Sequence, residues 1–184
     1  FAEQNPEPVA FNSLKLFGFA AFSARFIELA QELIPRGFPM RGLYGSSEVH
    51  SLFSAQRDAL PLEERVLGGG TPAAGALASV RVRDPDTQEL CDTGLSGEIE
   101  IKSPTLFKGY FNNPEATSQA FTQDGYFKTG DLVKKDSDGF YIFVTRKKDI
   151  IRVRGENISG AEVDRVVVSN PKILEAAAIG IPSP

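Results

Sequence analysis

The sequence has few of the residues that form covalent cross-links or soft-metal sites. Its 184 residues include one cysteine, Cys91, and one histidine, His50. One cysteine excludes an internal disulfide framework and a cysteine-based zinc site, and one histidine leaves too few ligands for a structural metal cluster. We therefore expect Cys91 to be an inert thiol and His50 to make an ordinary loop hydrogen bond.

Long apolar runs and an excess of one charge sign are also missing. No run approaches the roughly 20 apolar residues that span a bilayer, and no signal peptide is visible. The formal net charge is −4, with acidic and basic residues interspersed, which gives no electrostatic reason for a nucleic-acid partner. We expect a cytoplasmic protein with no membrane span and no nucleic acid bound.

The two ends of the sequence do not resemble natural termini. The only methionine is Met40, and residues 179–184 have the pattern of a strand that leaves into a loop. We interpret both ends as cuts through a larger protein. The alternative is a start removed by processing and a naturally short C-terminus.

Residues 1–75 carry the pattern of an α/β layer. Leu14–Gly18 is a short apolar strand candidate, and Ser23 stands where a helix N-cap belongs. Apolar residues then recur at helical spacing until Pro35, and 38–44 has the composition of a second buried strand. The strand–helix–strand order predicts the edge of a layer with parallel strands.

From Ala76 the apolar period changes to two, which predicts a mainly antiparallel β module. Residues 97–102 alternate, so Ile99 and Ile101 are expected on one face and Glu98 and Glu100 on the other. Asn113 followed by proline predicts one short helix within the module.

A charged stretch at 146–149 separates this module from a third segment. That segment is predicted to contain a strand over 150–154 and a helix that begins at a capping box of Ser159 and Glu162. A last strand is expected over 179–181.

Two motifs contain residues suited to nucleotide chemistry. In Tyr44-Gly-Ser-Ser-Glu48, the glycine permits a tight turn, the hydroxyls can bind phosphate oxygens, and Glu48 can hold Mg²⁺. In Tyr126-Phe-Lys-Thr-Gly-Asp-Leu132, Asp131 follows an aromatic strand and can accept both hydroxyls of a ribose. Each motif alone is also compatible with a polar turn, and the charges of 145–158 alone are compatible with a solvated linker.

The motifs together, in their order, resemble the adenylate-forming superfamily of acyl-CoA synthetases, peptide-synthetase adenylation domains and beetle luciferases. The resemblance runs from about residue 14 to the end and rests on these stretches: 44–48, 97–101, 107–117, 124–131, 138–141, 146–149 and 155–162. It implies the C-terminal part of an α/β nucleotide-binding subdomain over 1–75 and a β-barrel-like subdomain over 76–147. Residues 148–184 would then begin a small α+β lid domain.

The resemblance also implies roles for individual residues. Tyr44 would stack on adenine, Ser47 would contact the α-phosphate, and Glu48 would bind magnesium, so that Ser47 and Glu48 act in catalysis. Asp131 and Arg146 would bind the ribose. The remaining roles are adenine contact for Ala20, acyl-pocket lining for Gly18, Phe19 and Gly69, a hinge at Lys148, and a thiol-transfer loop at Gly155 and Glu156.

The activity implied is that of an ATP-dependent acid–thiol ligase. The carboxylate would attack the α-phosphate of ATP beside Mg²⁺, and after a lid rotation a thiol would displace AMP. Residues 155–158 favour coenzyme A as acceptor, whereas 152–155 also fit a carrier-protein-dependent adenylation domain. A non-catalytic nucleotide- or acyl-binding relative is the alternative from another class.

The sequence departs from the family pattern in ways that limit the prediction. The family's phosphate loop is expected upstream of residue 1 and its lid lysine beyond Pro184, so we expect this chain alone to be inactive. Gly68–Thr71 lacks the lysine that a phosphate loop requires. Phe19 replaces a small residue and is expected to narrow a pocket, and its apolar surroundings mildly favour an apolar acid, as in fatty acid metabolism.

Overall fold

A computed structural model describes residues 13–20, 24–136, 139, 141–153 and 156–181. They divide into two compact units, which are described separately. Unit 1 contains the described residues up to Ala78 together with 103–107 and 141–142. Unit 2 contains the other described residues.

Unit 1 is a small mixed sheet with a helix between its first two strands. Strand β1 (Phe17–Ala20) pairs in parallel with β2 (Met40–Tyr44), and helix α1 (Ala24–Leu33) connects them. Strands β3 (Ser54–Ala55) and β4 (Gly69–Pro72) extend the sheet in antiparallel order, and the short helix α2 spans Leu62–Arg65. The predicted parallel α/β edge is therefore confirmed.

The core of unit 1 lies between α1 and the sheet. It consists of Phe19, Ala30, Leu33, Met40 and Val66, all nearly removed from water. Helix α1 gives way to a 3-10 turn at Ile34–Arg36, because proline at 35 has no N–H to continue the α-helical pattern. The predicted N-cap, Ser23, lies outside the described residues.

Unit 2 is built on antiparallel strands, as the period of two predicts. Its strands are β5 (Ser79–Arg83), β6 (Ser96–Lys102), β7 (Phe127–Lys135) and β8 (Tyr141–Arg146), of which β8 belongs to this unit from residue 143 onward. The strand order is β8–β7–β6–β5. Among the described residues this order ends at β5, so these strands form an open layer. Helix α3 (Pro114–Ala120) begins at its predicted cap, where Asn113 Oδ1 accepts a 3.0 Å hydrogen bond from Ala116 N.

Both faces of β6 are covered. Glu98 and Glu100, which the alternation places on the face opposite Ile99 and Ile101, have only 9% and 2% of their surfaces exposed. Cationic side chains compensate for their burial: Arg81 and Arg83 contact Glu100, and Lys147 contacts Glu98. A period of two locates the faces of a strand, but it does not reveal when both faces are covered.

The end of unit 2 holds a hairpin and a helix. Strands β9 (Ile150–Val153) and β10 (Glu156–Ser159) pair in antiparallel order, and α4 spans Gly160–Val168. Ser159 Oγ accepts a hydrogen bond from Glu162 N, which confirms the predicted cap. Residues 179–181 are irregular, so the strand predicted there is not formed.

Within the part of the chain that the structure describes, no helix combines the length and the apolar character that crossing a membrane requires.

Candidate functional site

The strand pair β6–β7 loses its register at one point. Glu98 pairs with Leu132, but Glu100 pairs with Lys128, so three residues of β7 stand opposite Ile99 alone. These residues, 129–131, form a bulge, and Gly130 at its centre has φ of 73°. That conformation favours glycine, and bulges of this kind redirect side chains next to functional sites.

Hydrogen bonds hold the bulge in one conformation. Thr129 Oγ1 donates to the Ile99 carbonyl at 2.9 Å and accepts from Asp131 N at 3.0 Å. The N–H of Gly130 has left the strand ladder and donates to Glu98 Oε1 at 3.0 Å. The bulge is thus a defined turn that presents the next side chain, Asp131.

The Asp131 side chain is a buried carboxylate facing a cation. Asp131 is 6% exposed, and its Oδ1 lies 3.5 Å from Nε of Arg146, the last residue of β8. The Arg146 side chain is half-exposed. A carboxylate has acceptor sites for two hydroxyl donors at once, so this pair is chemically suited to a vicinal diol beside an anion.

A 3-10 turn over Lys147–Asp149 follows Arg146 directly. Lys147 Nζ lies 3.2 Å from Glu98 Oε2. Lys148, the predicted hinge, is exposed within this turn. Glu156 is exposed at the start of β10, whereas Gly155 lies outside the described residues.

In unit 1, the predicted phosphate motif begins at the end of β2. Tyr44 is its last residue and is 8% exposed, with its ring edge-on to Phe53 at a centroid distance of 6.4 Å. A 3-10 turn over Ser47–Val49 follows, in which Ser47 is exposed and Glu48 is half-buried. A side chain at Gly45 would place a Cβ 1.8 Å from the Ser51 carbonyl, so this compact turn requires glycine.

This turn is attached to residues 105–107 of the same unit. Phe107 N donates to the Glu48 carbonyl at 2.8 Å, and His50 Nδ1 lies at hydrogen-bond distance from the Thr105 carbonyl. His50 therefore makes the ordinary contact that was expected of it. His50 and Ser51 have φ of 59° and 69°, and such conformations in non-glycine residues store backbone strain.

The three residues of β1 that were predicted to contact adenine or the acyl group lie on opposite faces of the strand. Phe19 packs in the core against the α1 side, whereas Gly18 and Ala20 are exposed. A Cβ at Gly18 would lie 2.4 Å from Leu43 Cδ1, so a larger residue there would require the Leu43 side chain to move. Gly69 has φ of 134°, and its carbonyl accepts a bond from Ser54 Oγ. The acyl-pocket role of these residues stays a prediction.

Glu98, Thr129 and Lys147 are the site residues that sequence reasoning missed. The glycine inside a strand pattern at 130 was a usable signal for a bulge. The register of β6 against β7 had no such signal in the sequence, because it depends on which residues meet across the sheet.

Comparisons with known proteins support one family. A family model described as AMP-binding enzyme matches residues 2–111, more than half of the chain. The putative acyl–CoA ligase YdaB of Bacillus subtilis is 40% identical over 148 residues, which are 80% of this chain and 28% of the relative. The 4-coumarate–CoA ligase-like 4 protein of Oryza sativa subsp. japonica is 31% identical over 180 residues, covering 97% and 32%.

A solved structure is similar over most of this chain. It is o-succinylbenzoate CoA synthetase (MenE) from Bacillus subtilis in complex with the acyl-adenylate intermediate OSB-AMP, with a TM-score of 0.78 and 30% identity. The match covers 92% of this chain and 33% of that one. A complex of the same synthetase with ATP and magnesium ion has a TM-score of 0.74 at 31% identity, covering 88% of this chain and 32% of that one.

The chain spans less than a third of the length of these relatives. Its motifs, its mixed sheet and the family match agree with one another. The chain belongs to the AMP-binding enzyme family, whose members are adenylate-forming enzymes.

Proposed function

We propose that this chain supplies the nucleotide-binding part of an ATP-dependent ligase that joins a carboxylic acid to coenzyme A through an acyl-adenylate. The observation that carries the proposal is the bulge of β7, which presents the buried Asp131 carboxylate beside Arg146. The relatives named above as CoA ligases support the same reaction class.

In this proposal, Asp131 accepts hydrogen bonds from the two ribose hydroxyls of ATP or AMP. Burial strengthens such bonds, because water competes less for the carboxylate. Arg146 faces the carboxylate and the same sugar. Tyr44 contacts adenine together with Ala20.

The turn after β2 is suited to phosphate and magnesium. Ser47 offers an exposed hydroxyl, and the half-buried Glu48 offers a carboxylate. No group of three or more His, Cys, Asp or Glu side chains that could hold a metal occurs among the described residues. One carboxylate still fits Mg²⁺, which is commonly held by one or two carboxylates and substrate phosphates, and when bound it neutralises phosphate charge.

The remaining assignments follow the family pattern. The acyl pocket would involve Gly18, Phe19 and Gly69. Residues 148–184 would begin the lid, with Lys148 as hinge and Gly155 and Glu156 in the loop that serves thiol transfer. We further propose that the whole enzyme works in the cytoplasm, since Cys91 is a free thiol suited to a reducing compartment.

Adenylation is proposed to need segments that this sequence does not contain. The family's phosphate loop and its lid lysine have no counterpart in the 184 residues. We therefore expect the chain to bind nucleotide but to catalyse adenylation poorly or not at all.

The test is acid-dependent exchange of pyrophosphate into ATP, measured on a full-length ligase that carries this chain. Fatty, aryl, short-chain and amino acids would be compared in the presence of Mg²⁺. We expect exchange with one acid class, lowered at least 100-fold by Asp131→Ala and by Glu48→Ala. Asp92→Ala, at an exposed aspartate, serves as control and should retain exchange.

Exchange by the isolated chain at the full-length rate would contradict the proposed need for further segments. Absence of exchange with every acid would overturn the ligase proposal. Thioester formation with coenzyme A after successful exchange would separate the favoured acceptor from a carrier protein.

A further inference from the structure

The Glu98 side chain of β6 contacts both the bulge and the segment after β8. Its carboxylate is nearly buried, with 11% of the side chain exposed. One oxygen accepts from Gly130 N at 3.0 Å, and the other lies 3.2 Å from Lys147 Nζ. A buried carboxylate is retained at low cost only when such partners satisfy it.

The contact with Gly130 occurs where the strand ladder is interrupted. In regular pairing, a strand carbonyl would accept the N–H of this residue, but the register shift at Ile99 removes that partner. The Glu98 carboxylate takes its place. The Gly130 N–H belongs to the Thr129–Gly130 peptide, so this contact fixes the first peptide of the bulge. The next N–H, that of Asp131, donates to Thr129 Oγ1, so the anchored turn sets where the Asp131 side chain begins.

The contact with Lys147 acts on the other member of the candidate ribose pair. Lys147 follows Arg146, so the Glu98–Lys147 pair lies one residue from the Arg146–Asp131 pair. Lys147 also neutralises the charge of Glu98, which would otherwise repel an anionic ligand near Asp131.

We infer that Glu98 is a positioning residue: it holds the 129–131 bulge so that the Asp131 carboxylate and Arg146 meet the ribose. The inference rests on the proposed function for its ligand and on the contacts of Glu98 within unit 2 for its mechanism. It assigns to Glu98 no contact with substrate.

The experiment measures the affinity of the protein for AMP and for adenosine in Glu98→Ala and Glu98→Gln. Positioning predicts that Glu98→Ala weakens both ligands at least tenfold. Glu98→Gln keeps an oxygen for the Gly130 N–H and should stay within about threefold of the wild type. A purely electrostatic role predicts the opposite for Glu98→Ala, because loss of the negative charge would tighten AMP binding, and that result would overturn the inference.

Two further variants separate positioning from general destabilisation. In an Asp131→Ala background, Glu98→Ala should change adenosine affinity by less than twofold, because the residue that it positions is gone. Glu100→Gln removes another buried carboxylate of β6, one whose ionic partners are Arg81 and Arg83. The Glu100→Gln variant should be less stable than the wild type, but its affinity for AMP and adenosine should stay within twofold of the wild-type value. If Glu98→Ala weakened adenosine binding equally in the wild-type and Asp131→Ala backgrounds, the inference would be overturned.

Hydrogen exchange of the Gly130 amide tests the geometry without nucleotide. We expect its protection to fall at least tenfold in Glu98→Ala and to be largely kept in Glu98→Gln. Unchanged protection in Glu98→Ala would overturn the inference even if affinity fell. A wild-type protein that binds neither AMP nor adenosine would overturn the proposed function, and the amide exchange would then decide by itself whether Glu98 holds the bulge.

Discussion

Among the described residues of unit 2, three carboxylates are nearly removed from water, and each has a different kind of partner. Glu100 faces two arginines, Glu98 faces a backbone N–H and a lysine, and Asp131 faces the half-exposed Arg146. Glu100 stabilises the sheet through two cations. Asp131 faces a half-exposed guanidinium with further N–H donors, which suits the pair to a ligand.

Glu100→Gln tests the structural member of this set. Because the substitution leaves Arg81 and Arg83 facing a neutral amide at a 2% exposed position, we expect the free energy of unfolding to fall by about 3 kcal/mol. Urea denaturation measures it. The exposed Glu89→Gln should change stability by less than about 0.5 kcal/mol. Equal effects of the two substitutions would contradict the structural role of Glu100.

Cys91 is expected to react slowly with disulfide reagents. Partial burial raises the pKa of its thiol, and Asp84 and Asp92 add to the shift. A raised pKa lowers the fraction of thiolate, which is the reactive species. At pH 8 we expect an aromatic disulfide to react several-fold more slowly with Cys91 of the folded protein than with glutathione. After the protein is unfolded in urea, Cys91 and glutathione should react at similar rates. A folded-state rate equal to that of glutathione would contradict this expectation.

At the scale of elements, β5 and β6 are joined to the turn before β7 by an ionic cluster. The Arg81 guanidinium donates to both Asp124 oxygens at 2.6 and 2.9 Å and lies 3.9 Å from the centroid of the Tyr126 ring. Tyr126 OH and Ser79 Oγ are 2.7 Å apart. The cluster links the turn at 122–126 to the sheet.

The cluster predicts acid sensitivity. Hydrogen bonds from Arg81, and then from Thr122, hold the pKa of the Asp124 carboxyl well below its usual range. Because the pKa of Asp124 is lower in the folded state, its ionised carboxylate stabilises the fold at pH values above the unfolded pKa of about 3.9. This stabilisation is lost progressively as the pH falls from there toward the folded-state pKa. We expect Asp124→Asn to be less stable than the wild type at pH 6, with the difference shrinking below about pH 4.

Urea midpoints measured between pH 6 and pH 2.5 would check this prediction. The exposed Asp92→Asn provides the matched control and should show no such convergence. A stability difference between Asp124→Asn and the wild type that stays constant over the whole range would contradict the assigned role of Arg81.

Several elements could be predicted because local chemistry fixes them. Asn113 and Ser159 cap their helices through side-chain oxygens, and Pro35 ends the α-helical pattern of α1. The burial of Glu98 and the bulge could not be predicted in this way. Both depend on the register between two strands separated by a helix and loops, and no local pattern encodes that register.

At the scale of the whole molecule, ordered motifs identified the family where composition could not. Composition and charge excluded classes of partner but selected no reaction. The roles of single residues such as Tyr44 and Glu48 depend on bound ligands, and the choice of acid depends on the size of a pocket. No strand or turn pattern encodes either property.

The most direct test of the central claim, that Asp131 recognises the ribose, compares AMP with its 2′,3′-dideoxy analogue by calorimetry. Hydrogen bonds to a charged group contribute about 1.5–3 kcal/mol, so the wild type should prefer AMP at least tenfold. Asp131→Ala should bind the two ligands about equally. Equal binding by the wild type, or a preference that survives Asp131→Ala, would contradict the account.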